Sequence, residues 1–227
     1  MKPHQELVQI LSRAYRCPEF DAACKGVMQW KPQRGHIPRG FKGACGAISE
    51  VELVLVVAEP GNPLDDGRFA DLKSAYQYLK GAYQYSTSAL REGGKTSFHG
   101  NLLGIVESCW PKMDFERQMR KVWITESVLC SPPKEGGHVP KRCVTACGER
   151  YLLPQLKTFP NALVVALGTK AQKRLQAVGV TDFLCAYAVA PPGCNRREAR
   201  PSWEKIPVEL RRHRKQSPSR AEFEAPS

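Results

Sequence analysis

Apolar positions recur along this chain in two rhythms. Four short runs are almost continuously apolar: "VELVLVVAEPGNP" (51–63), "VWITESVL" (122–129), "NALVVALG" (161–168) and "FLCAYAVA" (183–190). Unbroken runs of this length fit strands buried on both faces of a parallel sheet. Between them the spacing changes to three and four, which predicts helices over 5–15, 67–85 ("GRFADLKSAYQYLKGAYQY"), 115–121 ("FERQMRK"), 143–159 and 169–178, with Pro154 kinking or ending the fourth. Two Gly/Pro-rich stretches, 25–47 and 130–141, read as ordered loops. No internal repeat is visible.

Strands alternating with helices predict an α/β fold of three layers, α/β/α, around a mainly four-stranded parallel sheet. In such sheets ligands bind beyond the C-terminal ends of the strands. Here those ends are "AEPGNP", "TESVLC", "ALGTKA" and "AVAPPGCN". The expected organisation is one domain over 1–210 and a basic, flexible tail over 211–227, polar and rich in Pro and Ser beyond about residue 213.

Composition narrows the function. The 227 residues are 42% hydrophobic, enough for one core, and no stretch reaches the roughly 20 apolar residues of a membrane span. The first residues are amphipathic and carry acid, so no signal peptide is expected and the expected compartment is the cytoplasm. Nine dispersed cysteines then favour thiols or metal ligands over disulfides. The net charge of +12 points to a polyanion, most simply DNA or RNA. The charge is uneven, with arginines crowded between 195 and 220.

Taken in order, "VLVVAEPGNP", "VWITESVLCSPP", "NALVVALGTKA" and "AVAPPGCN" resemble the blocks of the uracil-DNA glycosylase superfamily over about 51–205, nearest its bacterial and archaeal branch, some of whose members hold an iron–sulfur cluster. The resemblance implies a DNA-facing groove, a pocket for a base flipped out of the duplex, and action as a monomer. It also implies an acid or amide in the first block that holds the attacking water. Glu59 matches best, with Asp65 and Asp66 just downstream as second choices; the pair can equally cap the next helix. Phe69 is the expected stacking platform and Asn101 a contact to sugar or phosphate, as His99 beside it can be. Tyr76 and Tyr78 read as packing residues. The last loop, with Pro192, Gly193, Asn195, Arg196, Arg197 and Arg200, is expected to enter the minor groove, and Arg39 and Lys42 to add phosphate contacts. In the iron–sulfur branch, two ligands flank the loop and helix start as Cys130 and Cys147 do here. Cys17 and Cys24 complete the implied 4Fe–4S set, Cys45 and Cys143 compete for it, and zinc in the same thiols is the less favoured reading.

Two departures change the expected substrate. The family's second block carries an Asn that reads uracil, where this chain has Glu126. Its last block begins His-Pro-Ser, where this chain has Ala190-Pro191-Pro192. Cytosine reverses the edge of uracil, with a donor at the 4-amino group and an acceptor at N3. A protonated carboxyl accepts from the first and donates to the second, a match worth about 1–3 kcal/mol of discrimination. The N3 proton also helps a neutral cytosine depart. Excision of ordinary cytosine would be toxic, so the expected substrate is a modified cytosine, as in viral DNA. Excision of uracil in repair, and a DNA-binding module without catalysis, are the alternatives. For Glu126 itself the bland alternative is a structural ion pair with a nearby Lys or Arg.

Overall fold

The computed structural model describes residues 1–93 and 96–216. In chain order the elements are α1 (Gln5–Ser12), β1 (Lys42–Gly43), β2 (Leu53–Val57), α2 (Ala75–Arg91), α3 (Ser97–Cys109), α4 (Phe115–Lys121), β3 (Val122–Glu126), α5 (Lys141–Cys147), α6 (Leu153–Lys157), β4 (Leu163–Leu167), α7 (Thr169–Ala177), β5 (Leu184–Ala186) and α8 (Ala199–Gln216). The sheet runs β1-β3-β2-β4-β5. Four strands are parallel, as the apolar runs predict, and β1 pairs antiparallel to β3 at the edge.

The strands are shorter than the apolar runs because both ends of each run leave the ladder. At β5 the break is visible: the N–H of Tyr187 donates to Ser202 Oγ (3.0 Å) rather than to a strand neighbour. Helix starts follow local capping. Ser74 accepts from the N–H of Gln77 (3.2 Å) while the Gln77 side chain accepts from the N–H of Ser74 (3.0 Å), so α2 begins there and not at Gly67. Between α5 and α6 the chain widens into a π-turn over Gly148–Leu152, just ahead of Pro154, whose missing N–H interrupts the regular ladder.

Alternation along the strands divides the core. Val54, Val56 and Trp123 face a layer built from α1, α2, α5 and α7, whereas Leu53, Leu55, Val57, Val122 and Ile124 face α3, α4 and α8. Each fully buried Val, Leu or Ile contributes about 1.5–3 kcal/mol, so the two faces hold the sheet ends in place.

Three elements differ from the sequence reading. β1 lies inside the 25–47 loop; it is two residues long, and Gly43 adopts φ +92 where a Cβ would stand 2.1 Å from the carbonyl oxygen of Val122. The helix α3 is capped by Thr96, whose hydroxyl accepts from the N–H of His99 (3.3 Å). The basic C-terminal stretch is the long helix α8, and this corrects the flexible tail from 211: residues 211–216 are helical. Glu52 holds Lys121 (2.7 Å) and Arg214 together, and His213 Nε2 lies 3.2 Å from the carbonyl oxygen of Asn161. The remainder of the expected tail, 217–227, lies outside the described residues. Among the described residues no helix is long and apolar enough to cross a membrane.

Candidate active site

Glu126 is the last residue of β3, on the sheet face that packs against α3. Backbone registry continued from β1 sets Gly40 opposite it. Gly40 adopts φ +97, and a Cβ there would stand 2.3 Å from Glu126 Cγ, so the backbone of the 39–41 segment lies flat on the acid. Glu126 is 4% exposed and its Oε2 has no hydrogen-bond partner among the described residues. Burial pushes its carboxyl up to about 8; Lys42, Arg39 and Arg174 pull the other way, and Glu59 adds to the rise. No basic side chain lies within ion-pair distance of it among the described residues, so the structural ion pair is not what holds it.

Lys42 reaches the same face from β1, opposite Ile124, and is 2% exposed. Its ammonium lies 5.5 Å from the ring centre of Phe98, in the first turn of α3. Burial lowers it to about 8, with Glu126 opposing. His99, one residue on, is lowered to about 4 by burial and then by Lys42, and its Nδ1 sits 2.9 Å from Thr96 Oγ1. These placements correct the expected phosphate contact of Lys42, since a side chain enclosed under the sheet edge meets no DNA backbone. Arg39 is corrected on the same ground. It is buried, and its guanidinium donates to the carbonyls of Ile37 (3.2 Å) and Gly61 and to Ser131 Oγ (3.0 Å), stapling two loops together.

The first-block acids separate. Glu59 lies at the end of β2 with its side chain buried between Lys170 (2.5 Å to Oε1) and Arg174 (2.5 Å to Oε2), both on α7. Lys170 also donates to the carbonyls of Gly136 (2.8 Å) and Gly137 (3.2 Å), and Arg174 to that of Ala58 (2.7 Å) and to Ser127 Oγ (3.2 Å). Asp65 and Asp66 are exposed on the following loop, paired with Arg34 (3.0 Å) and Arg68. Phe69 is 2% exposed, edge-on to Tyr85 and pressed against Gly81, so its faces belong to the core; this corrects its reading as an open stacking platform.

Asn101 Nδ2 donates to the carbonyl of Val189 (2.9 Å) and so ties α3 to the last loop. There Pro192, Asn195, Arg196, Arg197 and Arg200 are exposed and Gly193 half-buried, on one continuous segment that leads from a 3-10 turn into α8. The structure therefore gathers these six on a single basic rim.

Cys17, Cys24, Cys130 and Cys147 line one apolar cavity together with Phe20 and Tyr151. Cys143 lies beside it and donates to the carbonyl of Ala23 (3.0 Å); Cys45 is on the other side of the sheet, near Glu116. Burial pushes Cys147 up to about 12 and Cys130 well above the usual thiol range, and the neighbouring thiols add to both shifts. Among the described residues no three His, Cys, Asp or Glu side chains converge closely enough to grip one metal ion. The four thiols line one small apolar cavity of about 20 Å³, and four is the number of thiolates that a 4Fe–4S cluster takes.

Sequence reasoning overlooked Lys42 as a neighbour of Glu126, because a two-residue strand leaves no periodic signal. It also overlooked the Lys170 and Arg174 clamp, which the helical spacing of 170 and 174 places on one face.

No curated protein matches this chain. The family model of the uracil DNA glycosylase superfamily matches residues 74–216, from the cap of α2 to the last residue of α8. The match takes in Glu126, Asn101, the basic rim and two of the four cavity thiols, and on that span and the sheet that carries it, the chain belongs to the uracil-DNA glycosylase superfamily.

Proposed function

We propose that this chain is a DNA glycosylase that hydrolyses the N-glycosidic bond of a flipped-out, modified cytosine and leaves an abasic site. The observation that carries the reading is the carboxyl of Glu126, 4% exposed at the end of β3 with no hydrogen-bond partner for Oε2 among the described residues, where burial favours its protonated form. At neutral pH it is protonated, and so has one acceptor oxygen for the 4-amino group and one O–H for N3. As the bond between C1′ and N1 breaks, its electron pair stays with the base and N3 takes the proton of Glu126. Water adds its oxygen to C1′, and the proton it sheds restores Glu126.

Glu59 is our first choice for holding that water. Lys170 and Arg174 fix its orientation, and each carboxylate oxygen has a further lone pair for a water proton. Asp65 and Asp66 follow, on the loop beyond it. A carboxylate in either place also stabilises the sugar cation. The basic rim would bind phosphates, and the four cavity thiols would hold a 4Fe–4S cluster that braces the N-terminal segment against α5. Removing such bases from viral DNA is a defence, since abasic sites accumulate in the invader alone.

Family membership favours a second reading, the excision of uracil. Duplexes carrying uracil or a panel of modified cytosines, incubated with the protein and then cleaved at abasic sites, separate the two. Release of modified cytosine that is lost in Glu126→Gln supports the first. Strong uracil release that survives Glu126→Gln overturns it. Mass spectrometry of bases released from viral and host DNA then names the modification.

A further inference from the structure

Three cations surround Glu126 closely enough to pull on its carboxyl: Lys42, Arg39 and Arg174. Two are committed elsewhere. Arg39 is bonded to loop carbonyls and Ser131, and Arg174 to Glu59, Ala58 and Ser127. Lys42 is different. Among the described residues no carboxylate lies within 4 Å of its ammonium, although the side chain is 2% exposed. An ammonium taken out of water costs several kcal/mol unless something answers its charge. The ring of Phe98 at 5.5 Å answers part of it. A leucine at this edge position would pack on Ile124 without that cost. Beside it Glu126 Oε2 is buried without a hydrogen-bond partner among the described residues, so a buried acid and a buried ammonium lie near each other on one face of the sheet.

We infer that Lys42 is a catalytic residue, which donates to the O2 carbonyl of the departing pyrimidine and holds the electron density that the breaking C1′–N1 bond delivers there. This inference rests on the glycosylase reading. Glu126 and Lys42 then divide the base between them: the acid protonates N3, and the ammonium bonds O2 and keeps its own protons. Once Glu126 has given up its proton, Lys42 also faces the new carboxylate. His99, on α3, is the other titratable group that interacts with Lys42, and the lowered His99 stays neutral and adds no competing charge.

The test uses single-turnover base release from duplexes carrying cytosine with 5-methyl, 5-hydroxymethyl, 5-formyl or 5-fluoro substituents, which differ in how well the base leaves. A charge that stabilises the leaving group matters most when the base leaves badly. Lys42→Met is therefore expected to slow the poorer leaving groups about 100-fold, the size of losing one preorganised donor, and the 5-formyl and 5-fluoro bases much less. Lys42→Arg is expected to recover part of the loss. Lys42→Gln replaces Lys42→Met if the latter melts early, because its amide keeps a hydrogen bond without charge. Equal slowing of every base in a folded variant, or release within twofold of wild type, overturns the role of Lys42 and leaves the glycosylase reading standing. Wild-type protein that releases no base from any duplex overturns both.

Discussion

Glu126 and Lys42 lie diagonally across β3 and β1 on one face of the sheet, the acid driven toward its neutral form and the amine toward its own, both by burial. The pair has a signature in stability. Glu126 has a folded pKa of about 8 against an ordinary 4.5, so its contribution is full below about pH 4.5 and is lost as pH rises through 8. Lys42 is depressed from 10.5 to about 8, so its contribution is full above 10.5 and lost as pH falls through 8. The two losses meet near pH 8. Wild-type protein should show a trough in melting temperature there, of about 2–4 °C for each kcal/mol, and Glu126→Gln with Lys42→Met should flatten it. Thermal melts from pH 5 to 10 measure this; a wild-type curve parallel to that of the double variant rules the coupling out.

Activity should follow the acid form of Glu126. Release of modified cytosine is expected to hold steady at neutral pH and to fall as pH rises through about 8. Glu126→Gln should lose about 100-fold or more, the usual range for a positioned general acid, and any fall it keeps with rising pH belongs to the Lys42 ammonium and moves below 8, because the acid that raises Lys42 is gone. A pH–rate profile of both proteins decides it.

Gly40 and Gly136 separate geometry from backbone strain. Both have positive φ, but a Cβ at Gly40 enters the Glu126 side chain whereas one at Gly136 meets nothing within 4 Å. Gly136→Ala should cost about 1 kcal/mol of stability and leave base release alone. Gly40→Ala should cost about 1–3 kcal/mol and also displace the acid, with at least a tenfold loss of release. Equal activity in the two variants would mean that the 39–41 segment does not position Glu126.

Much of this arrangement was legible in the sequence. Continuous apolar runs marked the four parallel strands, because buried strands have no polar face to interrupt them. The position of Glu126 at a strand end followed from "VWITESVL", and Cys17, Cys24, Cys130 and Cys147, distant in the chain, line one cavity. What escaped was the edge of the sheet and the identity of charges inside it. Lys42 and Arg39 looked like surface cations because nothing in a Gly/Pro-rich loop reports burial. The helix α8 was hidden by its own arginines, whose apolar partners Trp203, Ile206 and Leu210 are spaced too sparsely among them to stand out.

Salt dependence should distinguish the two classes of arginine. Arg196, Arg197 and Arg200 are exposed on the rim, so replacing each by Gln should weaken DNA binding and reduce the slope of log affinity against log salt by about 0.9 per lost phosphate contact. Arg39→Met should leave that slope unchanged and instead cost about 1–3 kcal/mol of stability, since it strands the buried carbonyl of Ile37 and leaves that of Gly61 with Ser131 Oγ alone. Fluorescence anisotropy across a salt series and chemical denaturation read the two effects. A slope altered by Arg39→Met would return that residue to the DNA surface.

The four cavity thiols make the sharpest chemical prediction. Two come from the N-terminal turns, one from the loop after β3 and one from α5, so a cluster held there would link these three segments. Protein prepared without oxygen should be brown and contain about four irons and four sulfides per chain, as a 4Fe–4S cluster requires. Replacing Cys17, Cys24, Cys130 or Cys147 by Ala should each remove most of the colour and lower the melting temperature. Cys143→Ala should spare the colour, because that thiol donates to the carbonyl of Ala23 beside the cavity and does not line it. Colourless, iron-free protein from anaerobic cells, with a melting temperature unmoved by the four substitutions, would leave these residues as buried thiols of the core.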